Sequence, residues 1–586
     1  MYNDLRTRRR AWLILSGACL AIFLTAFEVR RPLFMIGPVS FTTTELAAGF
    51  FLLTAAAWAM VDRSRFLSRR FLDLAVLLFV LSNFISVAAA IDKTGALKFS
   101  FRMTAAGLVY FGISRLPSRA RSHLVVAGAA ALTLLVVTLV GLMQNFAGFM
   151  DWERWLSPWQ EGIFTFGAFD NVRISSTLPY PTSLAMFIEL TLPLLIAAGL
   201  WLVCREQTAS RRRLLQAALA ASLAAAVALL VYTYTRSALV AMPLSVMTAG
   251  FLAVVYGYGK RVAAFFALAP VFLVAVLALS MITGNKAAAR LGVADQPQRQ
   301  GAEYRILEFP DDLKPGEESS ARVNIVNTSE VAWTPDGSNR VLASYRWFQD
   351  GMQTREISLD SYLPRDVGPG EQLDIDVVFL APPEPGEYIL VIDLLQVGVG
   401  WFSSNGVPPA LVPLEIDEQG SRILPGPAEE TGFIAIGTPS RSMLWQAAYH
   451  MWRDYPLLGV GPDQFRARYG EYLSELPPDV RVRTNNIYLE ALSNTGLAGL
   501  AAMLFLLGSA AWCQWRLVRD RAQEYGRRLV SLALMASLAA YALHGMLDNF
   551  LWQNGITFMF FAQLGLTSWL YFTRSGSGRE EPAKTG

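Results

Sequence analysis

The sequence predicts a mainly helical, polytopic membrane protein with an antiparallel β-sandwich inserted on its exported side. Three observations carry that expectation. Of the 586 residues, 53% are apolar and only 17% are charged, with a mean hydropathy of +0.35, whereas soluble domains are about 25% charged. The apolar positions collect into runs long enough to cross a bilayer, which takes about 20 residues. One long segment breaks that pattern with short alternating strands and turns.

Twelve runs qualify as spans, near 11–29, 43–61, 71–90, 99–114, 124–145, 183–203, 214–233, 237–256, 262–283, 486–508, 529–547 and 555–573. The first follows Arg8, Arg9 and Arg10 and lacks a small-residue cleavage site before Arg30, so it reads as an uncleaved helix. Every second short loop is basic: Arg63, Arg65, Arg69 and Arg70; Arg115, Arg119 and Arg121; Arg205 with Arg211 to Arg213; Lys260 and Arg261; Arg516, Arg519, Arg521, Arg527 and Arg528. Arginine-rich short loops stay in the cytoplasm, so both termini are expected inside and the odd-numbered spans run outward. The expected organisation is an N-terminal membrane domain over 1–290, a β-sandwich over 303–417, an exported helical loop over 425–485, membrane helices over 486–573 and a cytoplasmic tail over 574–586.

Two exported segments are longer than turns. Residues 146–182 carry Trp152, Trp155, Trp159, Phe164, Phe166 and Phe169, which suit either a loop lying in the bilayer interface or a lid over a lipid-linked substrate. In the second, from 284 to 485, alternation such as Leu373-Asp374-Ile375-Asp376-Val377 predicts strands, and Lys314-Pro315-Gly316, Pro335-Asp336-Gly337, Gly368-Pro369-Gly370 and Pro385-Gly386 separate them. Repeated short strands at this spacing predict a sandwich of the immunoglobulin kind. Residues 295–430 hold 9 Lys or Arg against 24 Asp or Glu, so a formal net charge of +3 conceals an acidic module on a basic membrane body. Anionic headgroups repel such a module, which favours a position standing off the bilayer. Its aromatics Trp333, Tyr345, Trp347, Trp401 and Phe402 fit a sandwich core or a sugar-stacking surface. Beyond it, Met443, Leu444, Ala447, Ala448 and Met451 recur at helical spacing.

Composition excludes other classes. Aromatics at 12% and only three cysteines, far apart, argue against disorder and against a disulfide scaffold. There is no phosphate-binding glycine loop, dinucleotide fingerprint, HExxH pair or clustered Cys/His set, so no metal, cofactor or nucleic-acid partner is expected.

Charged groups at the edge of a membrane interior are candidate functional residues. Arg236, in Tyr232-Thr233-Tyr234-Thr235-Arg236-Ser237, lies at an outward hinge where a guanidinium could fork onto phosphate oxygens or merely snorkel. Arg441 opens the helical segment after the sandwich, and Arg173 sits in the aromatic loop. Asn485 and Asn486 precede a span and suit a helix cap, with Glu490 about one turn further in. His544 and Asp548, four apart, share a helix face and suit either an acid–base pair or a satisfied interfacial pair.

Four stretches together resemble the O-antigen ligase and O-antigen polymerase family of bacterial membrane glycan transferases: VRISSTLPYPTSLAMFIELTLPL from 172, YTYTRSALVAMPLS from 232, SRSMLWQAAYHMWRDYPLLGVGPDQF from 440 and NNIYLEALSNTGLAGL from 485. The last two are the most specific. The resemblance covers about 170–290 and 435–573, and leaves the sandwich as an insertion in the family's large outer loop. It implies a GT-C-like membrane glycosyltransferase body without a metal, acting at the outer face of the bacterial inner membrane. It also implies an undecaprenyl-diphosphate-linked glycan as donor, a sugar or lipid acceptor, and inversion at the transferred sugar. By resemblance Arg236 and Arg441 grip the lipid diphosphate. Ligase-type members have His-Asn before Tyr-Leu, the histidine activating the acceptor; here that position is Asn485, so either activation shifts, with Glu490, His544 and Asp548 as the candidates, or the good leaving group alone drives the chemistry. The rival expectations are a flippase for the same lipid-linked sugar, and a family member that binds glycan without transferring it.

Overall fold

The computed structural model describes residues 2–27, 34–36, 39–41, 49, 51–52, 56, 70–116, 122–147, 174–282, 300–310, 312–335, 340–349, 352–353, 360–396, 400–403, 407–424, 441–473 and 482–573. In chain order come α1 (Tyr2–Leu24), the hairpin β1 (Phe34–Ile36) and β2 (Val39–Phe41), α2 (Phe71–Ser86), α3 (Lys93–Ser114) and α4 (Ser122–Ala147). Next are α5 (Pro181–Arg205), α6 (Ala209–Tyr232), α7 (Arg236–Val255) and α8 (Lys260–Ile282). Among the described residues nine helices are long and apolar enough to cross a membrane. Of the twelve expected spans, the first falls on α1, whose apolar stretch is only Trp12–Leu24, and the fourth on α3, which opens with Lys93 and Lys98. Nearly all of 43–61 lies outside the described residues. The lipid-facing stripes are visible as exposed Leu74, Leu77, Leu81 and Ile85 on α2 and Met247, Phe251 and Val254 on α7; such stripes are stable only where lipid is the solvent.

The β region follows: β3 (Ala302–Glu308), β4 (Glu318–Asn327), β5 (Val341–Gln349), β6 (Met352–Gln353), β7 (Ser361–Tyr362), β8 (Gln372–Leu380), β9 (Gly386–Gln396), β10 (Gly400–Trp401), β11 (Ala410–Asp417) and β12 (Gly420–Ile423). One sheet runs β3-β4-β8; the other runs β12-β11-β9-β5-β6, with β10 on β9 and β7 on β5. All their pairings are antiparallel. Period-two burial on β8 turns Leu373, Ile375, Val377 and Phe379 inward, where they share a core with Trp347, Leu390 and Ile392 of the second sheet. This is the expected two-layer sandwich. Trp333, Tyr345, Trp347 and Phe402 are buried in it, which favours the core reading over the sugar-stacking one. Trp401 is half-buried, with the Arg346 guanidinium 4.4 Å from its ring centre.

The chain then returns to helix: α9 (Arg441–Asp454), α10 (Phe465–Leu473), α11 (Ile487–Arg519), α12 (Tyr525–His544) and α13 (Asn554–Phe572). α13 is the most enclosed span, followed by α5 and α12, so the bundle is built around helices separated by more than 300 positions of chain.

The helix ends sort into two sets. At one end, Arg70 donates to Ser114 O at 2.6 Å, Arg527 to Leu570 O at 2.7 Å and Arg528 to Tyr256 O at 2.9 Å. These belong to the basic loops, and the alternation read from sequence brings them together. At the opposite end meet 90–93, 174–181, 232–237, 455–465, 484–487 and 544–554, which hold the candidate site.

Candidate functional site

The outer helical segment is fastened to the bundle by backbone contact. Helix α11 is broken at Gly496, where φ is 63° and ψ −163°, a combination essentially confined to glycine. The break exposes main-chain groups, and the turn after α9 fills it. Leu497 N donates to Pro456 O at 2.8 Å, Val460 N to Ser493 O at 2.9 Å and Gly461 N to Asn494 O at 2.9 Å. A Cβ on Gly496 would come within 2.3 Å of the Leu457 carbonyl carbon, and one on Gly459 within 2.4 Å of that of Asn494. The Pro-Leu-Leu-Gly-Val-Gly turn and the Asn-Thr-Gly step are thus two halves of one joint. Asn494 completes it by accepting from Phe465 N at 2.8 Å.

A second joint forms where α6 gives way to α7. Tyr234 takes φ 48°, a left-handed conformation uncommon outside glycine, and the chain restarts as α7 at Arg236. Buried residues 174–178 pack on this hinge, with Ile174 N donating to Tyr232 O at 3.2 Å. Arg236 is exposed at the tip, and Ser237 turns inward.

Around Ser237 lies a buried set of ionisable groups. His544, fully buried at the end of α12, stands 2.5 Å by Nδ1 from Glu189 Oε2 on α5. Its Nε2 is 3.0 Å from Asp548 Oδ2 and 2.7 Å from Ser237 Oγ, and Ser237 Oγ donates to Asp548 Oδ2 at 2.8 Å. The other Asp548 oxygen, Oδ1, is 3.6 Å from the Arg441 guanidinium. Exposure falls inward along this line: the Arg441 side chain is 48% exposed, Asp548 10% and His544 and Glu189 0%. The two arginine-bearing stretches, 236–237 and 441, therefore meet on one carboxylate although some 200 residues separate them in sequence.

The remaining sequence candidates divide. Asn486 is the N-cap of α11, accepting from Tyr488 N at 2.9 Å and Leu489 N at 3.0 Å, while its Nδ2 donates to Met546 O at 2.9 Å. Asn485 beside it is left-handed, with φ 51°. Glu490 does not join the His544 cluster. It is buried and accepts from Thr484 Oγ1 at 2.9 Å and Asn494 Nδ2 at 3.0 Å, with Arg483 3.7 Å away. Arg483 also pairs with Asp463 and lies over the Trp552 ring at 4.9 Å. Arg173 and the rest of 148–173 lie outside the described residues. Sequence reading missed Glu189, Ser237, Asp463 and Arg483. Glu189 carried a usable signal: it is the one charged residue inside the α5 run from Pro181 to Cys204.

Comparison with known proteins bears on the same stretch. Residues 410–504 match the O-antigen ligase family model. The matched span holds α9, the docking turn and the first part of α11, where the last two of the four resembling stretches lie, and begins on β11 and β12 of the sandwich. It supports assignment of the chain to the O-antigen ligase/polymerase family, and with it glycan transfer in surface polysaccharide synthesis. Comparison with curated proteins returns no match. Among solved structures, Pseudomonas fluorescens alkylpurine DNA glycosylase AlkC bound to DNA containing an abasic site analogue aligns at 11% identity and a TM-score of 0.17, over 59% of this chain and 98% of that one. A score that low carries no argument about fold or activity.

Proposed function

We propose that this protein moves a glycan from an undecaprenyl-diphosphate donor to a sugar or lipid acceptor at the outer face of the bacterial inner membrane, with inversion at the anomeric carbon. The supporting observation is the meeting of Ser237, the neighbour of Arg236, and Arg441 on Asp548. Arg236 at the N-terminus of α7 favours an anion, and Arg441, half exposed, can turn from Asp548 onto a phosphate oxygen. As the bond from the anomeric carbon to the diphosphate oxygen breaks, negative charge grows on the leaving group, and cations fixed there lower the barrier.

Asp548 takes the part that the family's histidine plays elsewhere. In this reading its Oδ1 removes the proton of the acceptor hydroxyl, the hydroxyl oxygen bonds to the anomeric carbon, and undecaprenyl diphosphate departs with the bonding electrons. The fully buried His544 acts from behind Asp548, and Asn485, an amide, takes no proton. Both termini and the basic loops face the cytoplasm in this arrangement, and α9 faces out.

The test uses purified full-length protein in proteoliposomes, with lipid-linked oligosaccharide and acceptor fractions from the host envelope. Released undecaprenyl diphosphate and the glycan product are measured by chromatography. Arg236→Ala and Arg441→Ala are expected to abolish both signals in protein that still inserts. Wild-type turnover in both variants would remove the mechanism, and movement of intact donor across the vesicle without release would replace transfer by flipping.

A further inference from the structure

Glu189 has no part in gripping donor or acceptor, yet it is buried on a spanning helix. A carboxylate there is costly, and such groups face functional interiors. Two features argue that stability alone does not keep it. Its Oε1 is buried without a hydrogen-bond partner among the described residues, so the contact with His544 leaves a desolvated acceptor uncompensated. The backbone carrying it is also pinned: Leu190 O accepts from Ser537 Oγ of α12 at 2.8 Å and from Gln563 Nε2 of α13 at 2.7 Å. Glu189 is held from three helices at a fixed distance from one imidazole.

We propose that Glu189 is the positioning residue of the transfer site, an inference that rests on the proposed reaction. Glu189 Oε2 accepts the Nδ1–H of His544, which fixes the ring with Nε2 toward Asp548 and Ser237. Carboxylates behind imidazoles fix ring orientation in this way. With the ring so held and protonated on both nitrogens, Nε2–H and the Ser237 hydroxyl both donate to Asp548 Oδ2 and leave Oδ1 facing outward, where the acceptor hydroxyl arrives. The order from the outside inward is Arg441, Asp548, His544, Glu189, each holding the next.

The test measures kcat and donor KM for Glu189→Gln, His544→Asn and the double variant in the same proteoliposomes, normalised to folded protein. Glu189→Gln is expected to lower kcat about 10²-fold with donor KM unchanged within about twofold, because the interaction lost acts on the chemical step and not on donor binding. In the His544→Asn background the same substitution should change kcat by less than about twofold, since groups acting as one unit are not additive. The double variant also removes both members of the buried pair together, and so reads the coupling even if Glu189→Gln alone is poorly recovered. Near-wild-type kcat in Glu189→Gln, a parallel rise in KM, or fully additive losses would each overturn the inference. Asp548→Asn separates the two failures: if it too keeps full turnover, the transfer reading has fallen, and if it is dead while Glu189→Gln is active, only the role of Glu189 has.

Discussion

Two buried carboxylates, Asp393 in the sandwich and Asp548 in the membrane body, have similar partners and opposite degrees of closure. Asp393 accepts from Tyr304 OH at 3.1 Å, Ser403 Oγ at 2.5 Å and Arg346 at 2.9 Å, and the Arg346 side chain is itself only 12% exposed. Burial pushes the Asp393 carboxyl above its ordinary range, opposed by Arg346, and the set is almost shut off from solvent. Asp548 has a hydroxyl and an arginine too, but its arginine stands at 3.6 Å and is 48% exposed. A closed cluster specifies one fold. An open one keeps a charged edge for something that arrives.

The largest expected effect is on the open side. Asp548→Asn keeps the shape and removes the base, so turnover should fall about 10²- to 10⁴-fold, with the thermal midpoint in detergent little changed. Midpoint and turnover falling together would make Asp548 a second Asp393. On the closed side, Asp393→Ala strands Arg346 in the sandwich, a loss of about 3–5 kcal/mol. It should appear as early unfolding of the β region, followed by Trp fluorescence in the full chain, while turnover per folded molecule stays near wild type. A catalytic loss without unfolding would place the sandwich in the reaction.

The same contrast explains what the sequence could reveal. Spans, basic loops and strands are local patterns of periodicity and charge, and Leu373 to Phe379 or Arg516 to Arg528 disclose their surroundings without help from distant residues. His544 and Asp548 were visible because four-residue spacing puts them on one face. Glu189 and Ser237 lie more than 300 positions from His544, and only the packing of α5 and α7 against α12 brings them to it. Glu490 shows the converse. Its position inside a span marked it as catalytic, but the break at Gly496 turns it toward Arg483 and Thr484, where its oxygens are occupied.

That break supplies a third prediction of intermediate size. Gly496→Ala forces a side chain into a glycine-only conformation, about 1–3 kcal/mol from the backbone alone, and presses it against the Leu457 carbonyl. The joint between α11 and the turn after α9 should loosen, seen as faster proteolysis near 456–463. Arg441 is carried on α9 and should lose its register with Asp548, so donor KM rises. Unchanged proteolysis would mean that the backbone bonds at Val460 and Gly461 hold the joint without the turn at 496.

The smallest effect is expected at Asn486, where one side chain does two jobs that can be separated. Its Oδ1 caps α11, and its Nδ2 donates to Met546 O within the turn that leads to Asp548. Asn486→Ala loses both, about 0.5–2 kcal/mol for the cap, with a several-fold fall in turnover. Asn486→Asp keeps the cap, since the two residues cap equally well, and its charge suits a helix N-terminus. It also sets a carboxylate oxygen against the Met546 carbonyl. If the second contact positions the turn, Asn486→Asp keeps the thermal midpoint of the wild type but shows the turnover of Asn486→Ala. If Asn486 is only a cap, Asn486→Asp behaves as wild type in both measurements, and α11 then bears on Asp548 through the Ile487 N to Gly545 O bond at 2.8 Å and the Tyr488 OH to Ala542 O bond at 2.9 Å.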